Sequence, residues 1–225
     1  MDNPGFSKNA YIDTYKHRGM RRALAMKLKQ KGIQDDNVLH AIETVPRHVF
    51  IDSAFAEQAY KDKAFQIGEG QTISQPYTVA FQTELLQVKP GDRTLEIGTG
   101  SGYQCCVLQV LGARVYTIEY NLRLYRRAKS VLSQIGYYKA SFFHGDGSKG
   151  LSQFAPYDKI IVTAGAPEIP ESLVEQLAPN GRLVVPVGNN KTQHMMLITK
   201  DTDSRVQKED CGAFRFVPLM GEEGW

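Results

Sequence analysis

The sequence predicts a doubly wound α/β fold with antiparallel C-terminal strands and a helical N-terminal extension. Three observations predict it. Strand-like and helix-like patterns alternate from Arg93 onward, three alternating glycines join the first of those strands to the next helix, and the tail reads as strands without helices between them. Residues 16–31 have the spacing of an amphipathic helix, carry seven Lys/Arg and no acid, and stop at Gly32. A second helix, opened by Asp35 or Asp36, places Val38, Leu39, Ile42 and Val45 on one face and stops at Pro46. β-rich runs at 93–97, 114–118, 140–143, 159–163 and 182–187 alternate with helical patterns at 102–111, 122–135 and 170–177. Such nearly continuous apolar strands form a parallel sheet covered on both faces. Residues 195–199, 205–209 and 213–219 then read as strands at an antiparallel edge. The expected division is a helical extension over 1–58 and a cofactor-binding domain over 59–225.

Composition narrows the functional classes. The chain has 225 residues, 42% hydrophobic and 23% charged, which excludes a disordered tail, a collagen-like repeat and a disulfide-stapled miniprotein. With 27 basic and 24 acidic residues the net charge is +3, too near balance to suggest a polyanion partner by itself. Cys105 and Cys106 are adjacent and Cys211 is remote, so neither a disulfide framework nor metal-ligand spacing is visible. The N-terminal Met-Asp-Asn-Pro-Gly lacks a signal-peptide pattern, and no apolar run approaches the length of a membrane span. A soluble, reduced, cytoplasmic protein is expected.

The first β run leads into Glu96-Ile97-Gly98-Thr99-Gly100-Ser101-Gly102-Tyr103. Glycines in a strand-to-helix turn permit positive φ and close approach of a ligand to the backbone. The spacing is GxGxG, shorter than the dinucleotide GxGxxG, and resembles the first motif of class I S-adenosylmethionine methyltransferases. That resemblance makes Gly98, Thr99, Gly100 and Gly102 cofactor-binding residues and gives Glu96 a cofactor contact. Glu119 ends the second strand, 21 residues after Gly98, where a carboxylate accepts the two hydroxyls of a cofactor ribose. Asp146 and Gly147 follow the third strand at the same edge, where Asp146 would accept from an adenine amino group. An Asp-Gly turn is the plain alternative. Thr163 follows the fourth strand at the same edge, either at the ligand or in a simple loop.

Further stretches narrow the resemblance. Val45-Pro46-Arg47-His48-Val49-Phe50, Gly68-Glu69-Gly70-Gln71-Thr72-Ile73-Ser74-Gln75-Pro76-Tyr77, Ala155-Pro156-Tyr157-Asp158, Gly181 through Gly188 and Phe216-Val217-Pro218-Leu219 strongly resemble the protein-L-isoaspartate O-methyltransferases, from about Met20 to the end. The resemblance implies methyl transfer from S-adenosyl-L-methionine to the free α-carboxylate of isoaspartyl residues in damaged proteins and peptides. It also implies a class I methyltransferase sheet whose last two strands are exchanged relative to the usual order. On the matching residues, Gln71, Thr72, Ile73 and Ser74 form a loop over the cofactor. Ser74 is also the candidate catalytic and substrate-binding residue, offering a hydroxyl to the substrate carboxylate. Val217 pairs its backbone with the bound peptide.

The chemistry agrees with what the sequence lacks. An α-carboxyl has a pKa of roughly 3.3–3.7, so the acceptor is already ionised at neutral pH and needs no base. No Ser/His/Asp arrangement and no metal cluster stands beside the candidate site. Locally, a Ser just before a helix with Pro in its first turn also reads as an N-cap, and both roles can coexist. The helix starting near Gln75 should add positive potential at the substrate carboxylate. Cys105 and Cys106 read as buried packing, His48 as a structural link, and His17, His40 and His194 as residues without partners. The basic run 16–31 leaves an RNA methyltransferase as the alternative, and a non-catalytic cofactor-binding adaptor as a third reading. The expected partners are isoaspartyl proteins and peptides, with no nucleic acid, no membrane and a monomeric chain.

Overall fold

A computed structural model describes residues 12–225; the reading of the N-terminal residues as free of a signal, and the start of the proposed extension, lie outside the described residues. Two helices come first. Helix α1 spans Tyr15–Gln30 and is capped by the Thr14 hydroxyl, with Arg21, Leu24, Ala25 and Leu28 on its buried side. Helix α2 spans Asp36–Thr44, and Asp35 is its cap, accepting from the N–H groups of Asn37 and Val38. Two short 3-10 turns at Arg47–Phe50 and Ser53–Gln58 lead to an antiparallel hairpin of β1, Phe65–Gly68, and β2, Gln71–Ile73. The expected cofactor loop is therefore in part a strand. Helix α3, Pro76–Leu86, follows at once; its cap residue is Gln75, so Ser74 stands one position outside the helix and is not its N-cap.

The main sheet then builds outward from its centre. Strand β3 is Arg93–Ile97, followed by α4, Tyr103–Val110; β4 is Arg114–Glu119, followed by α5, Leu122–Gln134; and β5 is Ser141–His144. Strand β6 is Tyr157–Val162, α6 is the short Glu171–Glu175, and β7, β8 and β9 are Leu177–Gly188, Gln193–Lys200 and Val206–Phe214. The spatial order is β5-β4-β3-β6-β7-β8-β9, parallel through β7 and antiparallel for β8 and β9. Strand order reverses between β3 and β6, and ligands of open α/β sheets bind outside the carboxyl ends of the strands at such a point.

One tail expectation is corrected. Residues 205–209 belong to a single strand, β9, that continues to Phe214, and 213–219 do not form a further strand of the sheet. After Phe214 the chain crosses the carboxyl edge of the sheet. Gly165 N–H donates to Val217 C=O, and Leu219 N–H donates to Gly165 C=O, both at 2.8 Å. Pro218 lies between them and has no N–H for a regular ladder.

Alternation along the strands divides the core. Leu95, Ile97, Ile160, Val162, Leu183 and Val185 pack on one face with Leu173 and Leu219, whereas Ile161 and Val184 face the helices on the other. The latter cluster runs without a break from Leu24, Leu28, Ile42 and Val49 to Cys105, Val131 and Leu132. The helical extension thus shares its apolar contacts with the sheet's own helices. Its polar docking is specific: the His17 and His48 rings stack at 3.8 Å, His48 Nδ1 lies 2.5 Å from Tyr60 Oη, and Arg21 donates to Tyr60 and to both oxygens of Asp13. His17 and His194 therefore do have partners, the latter meeting Asp210 at 2.7 Å.

Candidate active site

The glycine turn after β3 has the conformation its residues were expected to allow. Gly98, Gly100 and Gly102 have φ of 90°, 53° and 90°, values open to glycine and strained for other residues. Two of them also have no room for a side chain. A Cβ on Gly98 would lie 2.7 Å from Thr163 Oγ1, and one on Gly102 would lie 2.3 Å from Leu132 Cδ1. The first close approach brings the ends of β3 and β6 together, where Thr163 Oγ1 donates to Gly98 C=O at 2.6 Å. The second packs α4 on α5. Gly102 therefore acts in packing and lies outside the cavity walls.

A cleft opens at this edge of the sheet. Gln71 and Thr72 of β2, Gly98 and Gly100 of the turn, Glu119, Gly147, Thr163 and Val217 all line it. A smaller recess continues past Thr72 to Ile73, Ser74 and Thr99. The sequence-chosen residues are thus brought together from six separate stretches of chain. Glu119 accepts from Gly100 N–H at 2.7 Å and Asn121 N–H at 2.8 Å, one on each carboxylate oxygen. Each oxygen retains a second lone pair, which suits a pair of vicinal hydroxyls. At the other wall, a Cβ on Gly147 would lie 2.8 Å from Ile97 and 2.9 Å from Ile118, so glycine lets this loop pack directly on the two isoleucines, and all three residues line the cleft.

Two chosen acids are placed elsewhere. Glu96 alternates with Leu95 and Ile97, so it faces the helices and is wholly buried there, near the side chains of Thr117 and Cys105. Burial, with the charge of Glu119 adding to it, pushes its carboxyl up to about 8, so it is mostly protonated at neutral pH. Asp146 does not line the cleft, although Gly147 beside it does. Its carboxylate accepts from Ser148 N–H and hydroxyl and from Glu222 N–H, which ties the C-terminal segment to the sheet edge. Ile118, Tyr120 and Met220, not singled out in the sequence, complete the cleft together with Ala164 and Leu219. Tyr120 directly follows Glu119, a position whose closeness to the ribose contact was a usable signal; Met220 had none.

A second cavity, a groove of about 780 Å³, adjoins the cleft. Thr72, Thr163 and Val217 line both, and Ser74 lies in the groove and in the recess. The groove is otherwise walled by Tyr77, Thr78, Phe214, Arg215 and Phe216 with small neighbours. Its lining has one cation, Arg215, and no carboxylate or histidine. Val217 C=O already accepts from Gly165 N–H, which makes the Val217 N–H the more available group for pairing with a peptide. Cys105 and Cys106 are buried, and burial holds both thiols well above their ordinary range, so neither is a nucleophile. The basic helix is largely neutralised by acids: Lys16 pairs with Glu57, Arg18 and Arg21 with Asp13, Lys29 with Asp36 and Lys31 with Asp62.

A glycine cradle at the switch point, a strand-end glutamate and an apolar wall match the site expected of a class I S-adenosylmethionine-dependent methyltransferase. Comparison with known proteins narrows the class. The sequence profile of the protein-L-isoaspartate(D-aspartate) O-methyltransferase family matches residues 19–224, and the chain belongs to this family. Among its relatives, the protein-L-isoaspartate O-methyltransferase of Cytophaga hutchinsonii is 59% identical over 95% of this chain and 96% of its own length. That of Christiangramia forsetii is 54% identical over 94% and 99%. A solved protein-L-isoaspartate O-methyltransferase superposes with a TM-score of 0.82 at 32% identity, covering 91% of this chain and 67% of the other. A Plasmodium falciparum protein assigned the same activity, solved with S-adenosyl-L-homocysteine, superposes with a TM-score of 0.78 at 28% identity over 89% and 98%.

Proposed function

We propose that the protein esterifies the free α-carboxylate of L-isoaspartyl residues in damaged proteins and peptides, with S-adenosyl-L-methionine as methyl donor. One observation carries this reading beyond family membership: the groove that meets the cofactor cleft at Thr72 and Thr163 is lined by a cation and by no base. An amine or hydroxyl acceptor would have to lose a proton there. A carboxylate with a reference pKa of roughly 3.3–3.7 arrives ionised and asks only to be oriented. When bound, S-adenosylmethionine supplies an electrophilic methyl group on its sulfonium.

The chain's own residues then position and desolvate. Glu119, with Gly98, Gly100 and the wall of Gly147, Ile97 and Ile118, holds the nucleoside end. Gln71, Thr72 and Ile73 close over the cleft from the hairpin. The Ser74 hydroxyl donates to the acceptor carboxylate and the Val217 N–H to the peptide backbone, so that one carboxylate oxygen is left facing the cleft. Orientation of this kind supplies as much as about 7–11 kcal/mol of a barrier. The methyl ester afterwards closes to a succinimide, releasing methanol, and hydrolysis returns part of it to normal aspartate.

In this reading the enzyme works as a monomer, on isoaspartyl polypeptides and without nucleic acid. No helix among the described residues is long and apolar enough to cross a membrane, which accords with action in the cytoplasm. We divide the chain into a helical extension over 1–58 and a cofactor-binding unit over 59–225, with the apolar cluster shared by both. The test is methyl incorporation from labelled cofactor into paired peptides that differ only in one isoaspartyl or aspartyl linkage. Label is expected in the isoaspartyl peptide alone. Equal labelling of both, or of neither, overturns the substrate assignment, and labelling of RNA would favour the alternative drawn from the basic helix.

A further inference from the structure

Ser74 lies on a turn between β2 and α3 that has no side-chain cap of its own, since Gln75 makes no capping bond. Two charged groups from an earlier stretch of chain hold that turn instead. Arg47 is wholly buried; its Nη2 donates to Ser74 C=O at 2.8 Å and, more weakly, to Lys63 C=O at 3.4 Å, while its Nε donates to Ala59 C=O at 3.1 Å. The guanidinium lies 4.9 Å from the ring centre of Tyr103, the first residue of α4 after the glycine turn. Asp62 meets the other end of the turn. Its carboxylate accepts from Tyr77 N–H at 2.8 Å and pairs with Lys31 of α1 at 2.5 Å.

A buried cation thus holds the carbonyl that enters the turn, and a buried anion holds the N–H that leaves it. Three carbonyls at 59, 63 and 74 match the fixed fork of a guanidinium and not the single point charge of an ammonium. Burial lowers the Arg47 pKa to about 10, which leaves it charged at neutral pH. Burying a charge against neutral carbonyls is a poor way to gain stability, because desolvation consumes much of the attraction. Its return is geometric. The Asp62 carboxylate also occupies the Tyr77 N–H, so the positive start of α3 is already engaged by an anion before any substrate carboxylate arrives.

We propose that Arg47 and Asp62 are positioning residues for methyl transfer, clamping the Ser74 turn at the place where the groove meets the recess that continues from the cleft. This rests on the reading of the groove as the isoaspartyl site. A displacement of 1 Å in an oriented site costs as much as about 10²-fold in rate. Arg47→Lys and Asp62→Asn are therefore expected to lower kcat for an isoaspartyl peptide by at least about tenfold, with KM changed far less. S-adenosylmethionine Kd by calorimetry should stay within about threefold, because Glu119 and the glycine turn are held by other contacts. Amide hydrogen exchange should quicken at 74–78 and not in α4 or α5. If Arg47→Lys does not fold, Asp62→Asn carries the test. Retention of kcat within about twofold in the folded variants, or a loss matched by equal losses of cofactor affinity and melting temperature, overturns the clamp. If the wild-type enzyme leaves isoaspartyl peptides unmethylated, the functional reading fails, and the exchange measurement still decides whether the clamp exists.

Discussion

Glu119 lines the cleft and Ser74 the adjoining groove and recess, so their substitutions should separate binding from turnover. A hydrogen bond to a charged partner contributes about 1.5–3 kcal/mol. Ser74→Ala is thus expected to lower kcat/KM for an isoaspartyl peptide by about 10–100-fold while S-adenosylmethionine Kd is nearly kept. Glu119→Ala removes the acceptors for both hydroxyls and should weaken that Kd by about 100-fold or more; steady-state kinetics and calorimetry check the pair. Local capping no longer competes as the explanation for Ser74, because the cap position belongs to Gln75. Glu96 shows the reverse case. Its neighbours in sequence put it beside the cofactor, and the two-residue alternation of β3 turns it to the helix face of the sheet.

At the scale of elements, the glycine turn is a joint between four of them. Gly98 allows β6 to approach β3, and Gly102 allows α5 to pack on the start of α4. Gly102→Ala would combine a φ of 90° with a Cβ placed 2.3 Å from Leu132 Cδ1. Left-handed strain and overpacking together should cost about 2–4 kcal/mol, seen as a lower denaturant midpoint with the slope unchanged. The β3–α4 and β4–α5 units were legible because their period, caps and turn residues are all local. The hairpin of β1 and β2 was not, since Gln71–Ile73 is too short for a pattern and is a strand only by pairing with Phe65–Gly68. The same limit explains the tail. Ala213 and Phe214 finish β9, but the next residues owe their path to Gly165, far earlier in the chain.

Across the whole molecule, two buried groups set opposing pH dependences. Glu96 titrates at about 8 in the folded protein and near 4.3 in an unfolded chain. Between those values the folded state keeps a proton that the unfolded state releases, so stability falls as pH rises. His48 is held down to about 4 by burial, with the neighbouring His17 adding to it, against roughly 6.5 unfolded. In that window the unfolded state gains the proton, so stability is lost as pH falls. Their sum predicts greatest stability near pH 5–6.5. Glu96→Gln, which cannot ionise, should melt higher than the wild type at pH 8, with the difference vanishing near pH 5; thermal unfolding at the two pH values checks it. What the sequence determined alone was the cofactor half: strand ends, a glycine turn and Glu119 are set by local backbone requirements and by regular spacing. Tertiary structure alone decided that Glu96 lies under the sheet, that the tail walls both cavities, and that Arg47 and Asp62 hold the Ser74 turn. Those outcomes depend on charges and carbonyls that come together only when distant segments pack, and no local period records such a meeting.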